Sequence, residues 1–95
     1  MELSLTRTLQ ALADPKRREI LQMLGEGDKT AGELAARFDI SAPSVSHHLS
    51  VLKNADLVRA ERNGQTIVYS LNSTVVQEFL QEILQLLRVG EDNHA

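Results

Sequence analysis

Apolar residues open the chain at helical spacing. Leu5, Leu9 and Leu12 fall at i, i+4 and i+7, one face of a first helix. Asp14-Pro15 stops that helix and starts another, because Asp is a good N-cap and Pro suits the first helical position. The second helix is expected from Pro15 to about Leu24, burying Ile20, Leu21 and Leu24, with Gly25-Glu26-Gly27-Asp28 ending it. Thr30-Ala31-Gly32-Glu33 has the form of a capping box. Ala31, Leu34, Ala35 and Phe38 follow it on one face of a third helix. Asp39-Ile40 makes a tight turn. Ser41 then caps a fourth helix that starts near Ala42-Pro43 and runs to about Lys53. Two short helices joined so closely read as a helix-turn-helix.

After Asn54 the period changes. Leu57 to Arg62 and Gln65 to Leu71 read as two short strands, with Asn63-Gly64 between them as a hairpin turn. A hairpin in that position is a wing. Ser73 is expected to cap a last helix running to about Arg88, and residues 90–95 to form a frayed polar tail. The fold class is mainly α with one β-hairpin: a winged helix-turn-helix of five helices and a two-stranded wing, in a single domain over residues 1–95.

The fourth helix carries the functional signal. Val45, Leu49 and Leu52 share one face at ~100° per residue and should anchor it. Pro43, His47, Ser50 and Asn54 lie opposite, with Ser44 and Val51 beside them and Ser46 and His48 at the flanks. Solvent faces of helices favour Lys and Glu. This one is short, polar and nearly uncharged, made of hydrogen-bonding groups small enough for close approach to a major groove.

Charge refines this picture. The net charge is −3, which alone does not suggest nucleic acid. The excess acid sits late in the chain, where Glu78, Glu82, Glu91 and Asp92 face Arg88 alone. Residues 41–70 are slightly basic, with Lys53, Arg59 and Arg62 against Asp56 and Glu61. There is no cysteine, so no disulfide, thiolate ligand or thiol nucleophile. The opening Met1-Glu2-Leu3-Ser4 lacks the basic and apolar regions of a signal peptide, and no apolar run approaches a membrane span. A cytoplasmic protein without membrane insertion is expected. An enzyme is not, because no nucleophile–base set, phosphate-binding glycine loop or metal cluster can be assembled.

The last helix is apolar over half its circumference. Val75, Val76, Phe79, Leu80, Ile83, Leu84, Leu86 and Leu87 fall within one ~180° arc at ~100° per residue. That is wider than one core requires, so one side can face a second copy. The alternative is a helix lying deep in its own core.

The stretch SAPSVSHHLSVLKNADLVRAERNGQTIVYSLN resembles the recognition helix and wing of ArsR/SmtB-family repressors, and LADPKRREILQML resembles their second helix. The similarity runs over about residues 5–88, and within the family is nearest to the small autorepressor type of sporulation-delaying toxin systems. It implies a homodimeric repressor on a (pseudo)palindromic duplex operator, with recognition helices in successive major grooves roughly 34 Å apart. Carried onto this sequence, Ser44, Ser46, His47 and His48 are the groove-facing candidates, and Ser41 and Pro43 lie near the phosphates. Arg62, Asn63, Gly64 and Gln65 form the wing tip, and Lys53 and Arg59 are phosphate partners. Segments 1–13 and 73–88 would be the dimerisation helices, through Leu3, Leu5, Leu9, Leu12, Val76, Phe79, Leu80, Ile83, Leu84 and Leu87.

Alternatives stay open at several positions. His48 can be a packed structural histidine, and Arg62 and Gln65 can simply solubilise a hairpin tip. Lys16, Arg17 and Arg18 begin the second helix, where the dipole disfavours cations; a phosphate role and a solvated face are both open. The rival function is a winged-helix module that docks on a protein. Family metal sites use cysteines on the third helix or Asp/His/Glu sets on the last, and neither helix here has cysteine or histidine. His47 and His48 are adjacent and do not converge, and His94 is in the tail. No metal and no cofactor are therefore expected. Control falls to another signal, to a sequestering partner, or to none.

Overall fold

A computed structural model describes residues 5–88 of the chain. The elements are α1 (Leu5–Leu12), α2 (Pro15–Glu26), β1 (Lys29–Thr30), α3 (Ala31–Phe38), α4 (Ala42–Asn54), β2 (Val58–Asn63), β3 (Thr66–Leu71) and α5 (Ser73–Leu87). Leu3 and the tail at 90–95 lie outside the described residues.

Caps set most helix starts as the sequence implies. The Asp14 carboxylate accepts from the backbone N–H of Lys16 at 2.7 Å and of Arg17 at 3.2 Å. Thr30 Oγ1 accepts from Glu33 N–H at 3.1 Å, and the Glu33 carboxylate accepts from Thr30 N–H at 2.8 Å, closing the capping box. Ser41 Oγ accepts from Ser44 N–H at 3.2 Å. Asp39 adopts a left-handed φ of 56° and turns the chain between α3 and α4.

The core sits where α2, α3 and α4 meet the base of the wing. Ile20, Leu34, Val45, Leu49, Leu52 and Leu57 are fully buried. Each such side chain contributes about 1.5–3 kcal/mol of transfer free energy. The recognition-type helix is therefore fixed by the face that its apolar spacing marks.

The end of α4 passes the chain into the wing through a tight motif. Leu57 N–H donates to Leu52 O at 3.0 Å, and Asp56 N–H to Lys53 O at 2.9 Å. Asp56, between them, has φ 62°. This is a Schellman closure with aspartate where glycine is usual, and buried Leu52 and Leu57 supply its apolar contact.

Four features differ from the sequence-based expectation. First, α2 continues through Gly25 to Glu26, because neither Gly25 nor Glu26 is forbidden in a last turn. Second, the two-stranded wing gains a third strand: Lys29 pairs with Tyr69 and Thr30 with Val68, giving an antiparallel sheet of order β1-β3-β2. Third, the hairpin turns one residue later than Asn63-Gly64. Asn63 pairs with Thr66, leaving Gly64-Gln65 as the loop. Only Gly64 has positive φ, at 71°, while Asn63 and Gln65 do not. Glycine at the first central position is the requirement of a type II′ turn, whereas Asn-Gly would have needed positive φ twice. Fourth, the cap of α5 is Asn72 rather than Ser73: Asn72 Oδ1 accepts from Val75 N–H at 3.4 Å.

Helix α5 has no buried residue. Val75 and Val76 pack at the edge of the core, whereas Leu80, Leu84, Leu86 and Leu87 are exposed. The alternative of a helix sunk in its own core is thus not what forms. On α1 the residues that face inward are Thr8 and Ala11, which leaves Leu9 exposed. A hollow of about 730 Å³ runs between α1 and α5, lined by Leu5, Thr8, Val75, Phe79 and the acidic Glu78 and Glu82.

Candidate nucleic-acid interface

Helix α4 presents its polar side outward. Ser41, Pro43, Ser44, Ser46, His47 and Ser50 are exposed, while Val45, Leu49 and Leu52 are at most 1 % exposed. The serine cap is doubled by a hydrogen bond from Ser41 Oγ to Ser44 Oγ at 2.9 Å, which orients both hydroxyls at the helix start. Pro43 brings no N–H, and those of Ser44 and Val45 are bonded to Ser41, so this end offers an anionic oxygen the positive end of the helix dipole and the Ser44 hydroxyl. His47 lies opposite the buried anchor with its ring free of the core.

The wing tip is equally open. Arg62, Asn63, Gly64 and Gln65 are all exposed. Within the described residues, Arg62 makes no ion pair, so its charge is available. Arg62 and Ile67 are register partners, and Ile67 is 37 % exposed, so an apolar side chain accompanies the cation.

Lys53 and Arg59 are placed elsewhere. They line one hollow of about 590 Å³ with Asn54, Asp56, Val58, Ala60 and Asn72, at the C-terminal end of α4 and the foot of the wing. The Arg59 guanidinium donates to Asn72 Oδ1 at 3.5 Å, the same oxygen that caps α5. Arg59 therefore has a partner within the chain, and the two cations form a cluster separate from the wing tip.

His48 is half-buried, unlike His47. Its Nδ1 lies 3.3 Å from Arg17 Nη1. Burial foremost lowers its pKa from the ordinary 6.5; Arg17, His47 and Lys16 act in the same direction, and Asp14 opposes them. At Asp14 partial desolvation works against ionisation. The N–H groups of Lys16 and Arg17, the Arg17 guanidinium and His48 outweigh it, holding the carboxyl below its ordinary value.

The basic start of α2 has a structural use that the sequence did not reveal. Arg17 Nε donates to Ala11 O at 2.7 Å and its Nη2 to Gln10 O at 3.3 Å, while Arg18 Nη1 donates to Leu12 O at 2.7 Å. These carbonyls end α1, where a helix leaves acceptors open; that of Gln10 also accepts from Ala13 N–H at 3.2 Å. Lys16 lies 5.0 Å over the Phe38 ring and pairs with Glu19. The signal was the Asp-Pro-Lys-Arg-Arg run itself, but its targets are on another helix and leave no mark in local spacing.

Among the described residues no group of His, Asp and Glu is arranged to hold a metal ion, and no helix is long and apolar enough to cross a membrane.

Comparison with known proteins agrees with this architecture. The family profile described as "Bacterial regulatory protein, arsR family" matches residues 14–60, from the cap of α2 into β2. The transcriptional repressor SdpR of Bacillus subtilis (strain 168) is 44 % identical over 94 % of this chain and 99 % of its own length. An ArsR-like transcriptional regulator from Rhodococcus sp. RHA1 superposes with a TM-score of 0.84 at 27 % identity, covering 94 % of this chain and 84 % of that one. A solution structure from Mycobacterium bovis, described as a homodimeric winged helix-turn-helix DNA-binding domain, has a TM-score of 0.71 at 26 % identity, covering 87 % of this chain and 78 % of that one. With this fold, this exposed helix and these relatives, the chain belongs to the arsR family of bacterial regulatory proteins and is a DNA-binding transcription regulator rather than an enzyme.

Proposed function

We propose that the chain is a homodimeric, sequence-specific repressor that binds a (pseudo)palindromic operator, its own promoter included, in the cytoplasm. The observation that carries this reading is the outer face of α4. Ser44, Ser46, His47 and Ser50 are exposed on a helix whose opposite side is locked by Val45, Leu49 and Leu52. In this reading α4 enters the major groove, Arg62 to Gln65 follow the backbone beside it, and Lys53 and Arg59 serve phosphates further along. The name of the Bacillus relative supports repression, and the M. bovis neighbour supports two-fold assembly.

The homodimer rests on exposed leucine. Leu9, Leu80, Leu84 and Leu87 project from α1 and α5, between 44 % and 73 % exposed. Pairing these faces across a two-fold axis removes apolar surface from water, and a domain of this size gains disproportionately from it. Leu12 and Val76 serve the protomer's own core, so they would support that interface from beneath. Metal control is not part of the proposal, because the sequence offers no cysteine and its α3 and α5 offer no histidine.

The test is selection of duplex fragments from genomic DNA by the purified protein, followed by footprinting and titration against salt. The reading expects two protected half-sites about one helical turn apart and affinity that falls steeply with salt. Failure to enrich any duplex, or an affinity indifferent to salt, would favour a protein-docking module instead.

A further inference from the structure

We infer that Arg17 is a positioning residue for His48: it holds the imidazole with Nδ1 as acceptor, so that Nε2–H is presented as a donor to an acceptor on the operator, a purine N7 or a phosphate oxygen. This deepens the repressor reading and rests on it.

Guanidinium only donates, so a contact of 3.3 Å between Arg17 Nη1 and His48 Nδ1 makes that nitrogen the acceptor. A neutral imidazole then carries its proton on Nε2. Arg17 is held in place: Nε and Nη2 are committed to Ala11 O and Gln10 O, and Asp14 Oδ2 lies 4.0 Å from Nη1. Its side chain is 14 % exposed, so the fork is fixed rather than free to swing.

The other edge of the ring is open. Among the described residues no hydrogen bond to His48 Nε2 is formed, yet no buried side-chain nitrogen or oxygen is left without a partner. Nε2 therefore reaches solvent. His48 follows Ser44 by one helical turn, and Ser44 and His47 are exposed beside it. The donor thus belongs to the flank of the groove-facing surface. The charged and titratable groups around the ring are Asp14, the cap of α2, Arg17 and Lys16 from α2, and His47 from α4; α1 contributes carbonyls by way of Arg17.

The consequence is that a residue outside the recognition helix sets what one of its side chains can read. A double-mutant cycle on operator affinity tests this. Arg17→Met and His48→Ala are each expected to lose about tenfold, the value of one net hydrogen bond near its upper range. The double variant is expected to lose about tenfold as well, because Arg17 acts through His48. His48→Ala is expected to leave affinity for a scrambled duplex unchanged if the acceptor is a base. Operators with single 7-deazapurines or single methylphosphonates separate the two acceptors: the position sensitive in the wild type becomes insensitive in His48→Ala. Losses that multiply to about a hundredfold in the double variant, or no loss in His48→Ala, overturn the inference while leaving the repressor reading intact. Nitrogen-15 spectra of the unaltered protein provide a readout that needs no variant. Protonated Nε2 and unprotonated Nδ1 at neutral pH are expected for His48, and the opposite tautomer contradicts the inference. A wild-type chain that selects no duplex overturns the repressor reading and this inference with it.

Discussion

Arg7 on α1 donates through Nη1 to the backbone carbonyl of Asn54, the last residue of α4, at 3.4 Å. An exposed bond of that length adds little stability. Its interest is placement. It ties the helix that exposes Leu9 to the free carbonyl end of the helix that exposes His47. A second tie, through Arg17, joins the other end of α1 to His48. Any arrangement of two α1 helices about a two-fold axis therefore also sets the distance between two copies of α4.

Dimerisation is expected to depend on leucines that the protomer does not need. Leu84 is 52 % exposed and Leu80 51 %. Leu84→Glu should leave a folded chain by circular dichroism but give monomer in sedimentation, since an unpartnered charge in an interface costs several kcal/mol. A dimer of unchanged mass and affinity would contradict the assigned interface.

The wing turn makes a narrower prediction. Gly64 has φ 71°, and nothing lies within 4 Å of a Cβ placed there. Gly64→Ala should therefore cost about 1 kcal/mol from backbone conformation alone. Gly64→Asn should cost less, because asparagine is among the residues that primed hairpin turns accept. Thermal denaturation compares the two, and equal, negligible effects would contradict the turn geometry.

Caps separate two adjacent residues. Asn72→Ala should destabilise the fold by about 1 kcal/mol, while Ser73→Ala should change little. The reverse order in chemical denaturation would restore Ser73 as the cap.

Those caps show what local sequence reveals. Asp14, Thr30 and Ser41 were legible because each helix start has one strong capping residue in place. At the start of α5 two good caps are neighbours, and propensity could not choose between Asn72 and Ser73. Asn63-Gly64 misplaced the turn for a similar reason: it fits type I′, while Gly64-Gln65 fits type II′, and strand register decided. Strand β1 is two residues long and pairs with Tyr69 and Val68, so it has no period to detect. The outward face of α4 was legible from Val45, Leu49 and Leu52. The partners of Arg17, His48 and Arg59 were not, since they lie on other elements.

Acid should weaken the fold through His48. Its pKa is lowered from 6.5, so the unfolded chain binds more protons in that range. The contribution is fully present above the unfolded value and is lost as pH falls from about 6.5 toward the folded pKa. Asp14, held below 3.8, stays ionised through this window. Between pH 7.5 and 5.5, the melting midpoint of the wild type should fall more than that of His48→Gln. Parallel profiles would contradict the environment described for His48.

In the proposed function the exposed face of α4 reads bases while the wing arginine holds the backbone. The direct measurement is titration of His47→Ala and Arg62→Ala against operator and scrambled duplex at several salt concentrations. His47→Ala should cost on the order of 1–3 kcal/mol on the operator and barely change non-specific affinity. Arg62→Ala should weaken binding to both duplexes alike and reduce the salt slope by about one unit. Loss of affinity by His47→Ala equally on both duplexes, or on neither, would contradict the assignment of α4 as the base-reading element.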